Sequence, residues 1–107
     1  MLRIYDVIIA LLSNLRPLLE QIARQDRDLA DQARRAGASI ALNTAEGSGA
    51  RGGNRGVRYA TALGSAREVR ACLHVAQAYG YMELLPTTPM EQLDHVIATL
   101  VKVSRKG

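Results

Sequence analysis

Apolar residues recur along the first stretch of the chain at alternating steps of four and three: Ile4, Ile8, Leu11, Leu15, Leu18 and Ile22. That spacing is the seam of an amphipathic helix, and it predicts a helix from about Ile4 to Arg24. Tyr5, Leu12 and Leu19 form a second line beside the seam, and Val7 and Ile9 widen it. A bundle helix needs one stripe for its own core. The extra width marks Tyr5, Val7, Ile9, Leu12 and Leu19 as a candidate subunit interface, with a second copy of the chain as partner. Pro17 removes a helical hydrogen bond and should kink this helix near Ser13.

Asp26 is a candidate N-cap for a second helix, with Asp28 favourable in its first turn. Leu29, Ala33, Ala36, Ile40 and Asn43 or Thr44 supply its inner face, and their small size lets a neighbouring helix approach closely. Gly47 is expected to end it as a left-handed cap. The segment Gly47–Gly56 holds five glycines and reads as a flexible loop. Asn54 is expected to cap a third helix with Ala62, Leu63, Ala66, Val69, Leu73 and Ala76 inside, stopped by Gly80. Thr88-Pro89-Met90-Glu91 then reads as a capping Thr, a first-turn Pro and a Glu reaching back. Met90, Leu93, Ile97, Leu100 and Val101 give the last inner face, and Arg105 and Lys106 suit its C-terminal dipole end. No strand-like alternation competes. The expectation is one all-α domain over residues 1–107, an antiparallel up-down-up-down four-helix bundle.

Composition changes that picture in one respect. The 107 residues are 48% hydrophobic but include no Phe, no Trp and only four Tyr, so the core must be Leu, Ile, Val and Ala. Such cores gain less buried area per residue, and oligomerisation is an ordinary remedy. Arg3 and Asp6 around a short apolar run, followed by Arg16-Pro17, fit a core helix better than a signal peptide. No stretch approaches the roughly 18 apolar residues of a membrane span. The single cysteine, Cys72, excludes an internal disulfide framework and fits a reducing, cytoplasmic setting. A net charge of +4, carried mostly by Arg, favours acidic partners such as nucleic acid.

Several motifs look like chemistry. Gly47-Ser48-Gly49-Ala50-Arg51-Gly52 spells G-x-G-x-x-G, but a dinucleotide site needs a preceding strand, and a helix precedes this segment. A phosphate-binding P-loop fails too, since Gly53-Asn54 stands where Lys and Ser/Thr are required. Cys72 and His74 point to different faces of a helix, and His95 stands on another, so no metal site is expected. No cofactor follows from any motif. Ser39, Asn43 and Glu46 share a narrow sector of the second helix, and Ser65 and Glu68 do so on the third. Two readings stand: an interhelical polar network that fixes register, or a carboxylate pair for acid–base or metal chemistry. Arg51, Arg55 and Arg58 among glycines, with Tyr59 offering a stacking face, are the candidate nucleic-acid contacts, together with Arg34 and Arg35 of the second helix. Arginine grips phosphate bidentately, and glycine lets backbone amides approach it.

The central third carries a resemblance. Gln32-Ala33-Arg34-Arg35-Ala36, Ser39-Ile40, Asn43 and Ala45-Glu46-Gly47, followed by Ala62, Gly64-Ser65 and Glu68 and then Ala76 to Met82, resemble the signature of the four-helix-bundle proteins related to 23S rRNA intervening-sequence proteins. The resemblance covers roughly residues 32–82. It implies an antiparallel four-helix bundle, commonly a pentameric ring, in a family that includes the accessory variability protein of diversity-generating retroelements, which works with a reverse transcriptase and RNA. Ser39, Asn43, Glu46, Ser65 and Glu68 are the signature positions. Between Arg51 and Arg58 this chain has Gly and Arg where the family usually has an acidic, Phe-containing start to helix three. The combined expectation is a non-enzymatic homo-oligomeric module that binds RNA or a nucleic-acid-processing protein. The alternative is a scaffolding subunit without nucleic-acid contact.

Overall fold

A computed structural model describes residues 3–50 and 53–106. Its helices are α1 (Ile4–Ala23), α2 (Arg27–Gly49), α3 (Gly53–Ala78) and α4 (Thr87–Lys106), and no strand occurs among the described residues. Each helix packs on its neighbours in the order α1–α2–α3–α4, and α4 closes back on α1. Cross-helix pairs show the directions. Along α2, Gln32, Ser39 and Gly47 meet Glu68, Ser65 and Tyr59 of α3 in descending order, so the pair is antiparallel. Asn14 of α1 meets Gln92 of α4, and Arg70 of α3 meets Asp94. The expected up-down arrangement follows, in a bundle 43 Å long and 23 × 19 Å across.

The α1 seam is buried in full: Ile4, Ile8, Leu11, Leu15, Leu18 and Ile22 all enter the core. The helix runs on through Pro17, whose ring is exposed. Asp26 caps α2, its Oδ1 accepting from the Leu29 amide at 3.0 Å. On α2 the inner face is Ala30, Ala33, Ala36, Gly37, Ile40, Ala41 and Thr44, with Leu29 only half-buried. Small residues here let α1 close in, and a Cβ on Gly37 would come within 3.0 Å of Leu12 Cδ2. The third helix ends in a Schellman motif. Gly80 takes φ +78°, the Tyr81 amide donates to the Ala76 carbonyl at 2.9 Å, and the Gly80 amide to Gln77 at 3.0 Å.

Four expectations fail locally. The glycine-rich stretch is mostly helix: α2 continues to Gly49, and α3 begins at Gly53. Gly47 is therefore no left-handed cap but a buried helical residue packed under Tyr59. A glycine costs a helix about 1 kcal/mol, and here close α2–α3 packing outweighs that propensity. Asn54 lies inside α3 and does not cap it. The α4 start is also earlier than Thr88. The Met90 amide donates to the Pro86 carbonyl at 3.4 Å, so Thr88 and Pro89 stand within the first turn, where a missing amide proton costs nothing.

Candidate nucleic-acid and assembly surfaces

The polar signature residues lie where α2 crosses α3. Ser65 Oγ donates to Ser39 Oγ at 2.7 Å, and Asn43 Nδ2 donates to both Ser39 Oγ and the Ser39 carbonyl at 3.0 Å. Arg58 extends the group by donating to Asn43 Oδ1 at 3.4 Å. Glu46 and Glu68 stand outside it. Glu46 is exposed, and Glu68 accepts from Gln32 at 3.4 Å. Gln32 and Glu46 are fourteen positions apart on one helix, which is about 21 Å of rise. The two carboxylates therefore cannot share a proton or a metal ion. Among the described residues no group of three His, Cys, Asp or Glu side chains converges on a point.

The five candidate arginines do not form one patch. Arg51 lies outside the described residues. Arg55 closes the α2–α3 connection, its Nε and Nη2 donating to the Ala50 carbonyl at 3.2 and 3.0 Å. A cation there satisfies a carbonyl at the negative end of α2. Arg34 pairs with Asp31 at 3.3 Å on α2, and Arg35 is exposed beside it. Both stand some 12 Å or more along the axis from the level of Arg58, at 1.5 Å per residue. Tyr59 is 4% exposed, so its ring packs on Gly47 and offers no stacking face.

The candidate interface residues divide between two flanks of α1. Tyr5, Leu12 and Leu19 pack half-buried on the α2 side, and Ile9 beyond them is 41% exposed. Val7 is on the other flank, seven residues from Asn14, which bonds α4. Between α1 and α2 runs an open apolar groove of about 510 Å³, floored by Leu12, Leu19, Ala30, Ala33 and Gly37. Two ion pairs border it, Arg16–Glu20 on α1 and Asp31–Arg34 on α2. Sequence periodicity located Leu12 and Leu19. The spacing along α2 also placed Ala33 on the inner face, but it did not reveal Ala30 and Gly37 beside it, because small residues carry little hydropathy signal.

At the far end of the bundle, Asp26 joins three elements. Its Oδ2 accepts from the Tyr81 hydroxyl at 3.1 Å while Oδ1 caps α2. Desolvation, then the bond to Asp26, pushes the Tyr81 phenol above its ordinary value. Gln21 of α1 donates to the Tyr81 carbonyl at 3.2 Å, and Tyr79 packs its ring 5.7 Å from that of Tyr81. Cys72 is buried, and burial followed by the nearby Glu68 charge raises its thiol pKa. Such a thiol is inert.

A family model described as 23S rRNA-intervening sequence protein matches residues 2–105. No curated protein and no solved structure matches the chain.

Proposed function

This chain belongs to the 23S rRNA-intervening sequence protein family, and on that footing we propose that it is a non-enzymatic module that assembles with copies of itself and binds RNA. The observation that carries the assembly is the apolar groove open to the outside between α1 and α2, lined by Leu12, Leu19, Ala30, Ala33 and Gly37. The occupant is a second copy. The same chain exposes large apolar side chains elsewhere, including Leu84 at 82%, Leu42 at 66% and Val57 at 63%. Paired charges of both signs along the groove's edges suit a surface that carries both signs itself.

RNA is favoured by the excess of arginine and by the cations around the α2–α3 connection. Repetition in an oligomer multiplies weak phosphate contacts through effective concentration. Titration of a labelled, structured RNA at several salt concentrations tests this. Affinity is expected to fall steeply with salt, and replacing Arg51, Arg55 and Arg58 with Ala is expected to flatten the dependence. Binding that ignores both salt and the triple substitution refutes the RNA reading. Capture of a protein that survives nuclease treatment then favours the scaffolding alternative.

A further inference from the structure

The antiparallel register brings to one end of the bundle cations that are far apart in sequence. Asn14 lies opposite Gln92, so the start of α1 lies beside the end of α4, and Arg3 reaches the level of Lys102. Arg70 meets Asp94, which by the same counting sets Arg105 level with Tyr59 and its neighbour Arg58. Arg55 stands one turn further out, at the α2–α3 connection. Among the described residues this end holds Arg3, Arg55, Arg58, Lys102 and Arg105 against Asp6 and Glu46. The rest of the bundle is nearly balanced, with seven cations against eight carboxylates.

Pairing differs as well. Three cations of the balanced region, Arg16, Arg34 and Arg70, stand within 4.0 Å of a carboxylate. Among the described residues none of the five at the basic end does. All five are exposed, and they ring a cross-section of 23 × 19 Å. Exposed, unneutralised cations are the electrostatic footprint of a polyanion site.

Base stacking is missing from the same end. The chain has no Phe or Trp. Tyr59 is buried under α2 and Tyr5 is half-buried, while exposed Tyr79 and its neighbour Tyr81 belong to the opposite end. Single-strand binders place aromatic rings under splayed bases; among the described residues no exposed aromatic ring stands at this end. We infer that this end of the bundle, including Arg3, Lys102 and Arg105, docks on the phosphate backbone of a double-helical nucleic acid without reading its bases. The inference rests on the RNA-binding reading above and assigns it a location and a substrate form.

Salt titrations with the full chain test it, using a short RNA duplex of arbitrary sequence, the matching DNA duplex and one RNA strand alone. Each phosphate contact adds about 0.9 to the size of the negative slope of log affinity against log salt on a duplex. K102Q/R105Q is expected to lower that slope by about two, and R3Q by about one. R24Q/R27Q, at the opposite end, is expected to leave it unchanged. Circular dichroism checks that each variant stays helical. Similar slopes on the RNA and DNA duplexes, with weaker binding to the strand, support backbone docking. An unchanged slope for K102Q/R105Q beside a reduced one for R24Q/R27Q overturns the location while RNA binding stands. Tighter binding to the strand than to either duplex overturns the substrate form. No binding to any of the three removes both this inference and the RNA reading.

Discussion

The ring of Tyr59 occupies the space that a side chain on Gly47 would need: a Cβ there would come 2.7 Å from the ring's Cδ1. The contact fixes how closely α2 and α3 approach below the Ser39–Ser65 hydrogen bond. It also explains why a glycine stands inside α2 at this point, since the buried ring leaves no room for a side chain across from it.

Gly47→Ala therefore sets two effects against each other. Alanine gains about 1 kcal/mol of helix propensity, and overpacking costs about 1–3 kcal/mol. The expected net result is destabilisation, read as a lower urea midpoint with an unchanged m-value. Combining it with Tyr59→Leu should cost less than the two single changes added together, because the residues share one contact. Strict additivity would show that the contact is not what limits position 47.

Thr44 presents the opposite case. Its side chain is fully buried, and Oγ1 has no hydrogen-bond partner. A buried unsatisfied hydroxyl costs about 1–3 kcal/mol, so Thr44→Val, which keeps the shape, should raise stability by roughly 1 kcal/mol. Thermal unfolding of the two proteins measures the difference. A lower midpoint for the Val variant would contradict the assignment of an unpaired hydroxyl.

The Tyr81–Asp26 bond predicts a pH effect. A phenol whose folded pKa is raised above its ordinary value of 10.0 adds stability that is complete below the unfolded value. That stability is lost as pH rises through the folded one. Tyr81→Phe should lower the melting temperature at neutral pH and make its fall shallower once pH passes about 10. Parallel alkaline melting curves for the two proteins would argue against the hydrogen bond.

Much of the fold was legible in the residues themselves. The six-residue seam of α1, the Asp26 cap and the Gly80 stop each depend on local spacing or a local backbone requirement, and each is present in the structure. The helical place of Gly47 is illegible in propensity alone, because the Tyr59 ring that packs on it stands on another helix. Val7 was grouped with Leu12 by hydropathy, although its position around the helix puts it on the α4 flank. The basic end was illegible for a related reason: Arg3 and Arg105 become neighbours only when the helices fold antiparallel. Read along the sequence alone, Arg105 suits only the dipole end of α4.

The central claim is that the flank of α1 bearing Leu12 and Leu19 is shared between copies of the chain. Light scattering of the purified protein at micromolar concentration tests it most directly. The account predicts one discrete species at a whole multiple of the 11.6 kDa chain mass, and Leu12→Glu with Leu19→Glu should return it to a helical single chain. A well-folded species of 11.6 kDa for the unaltered protein would contradict the account.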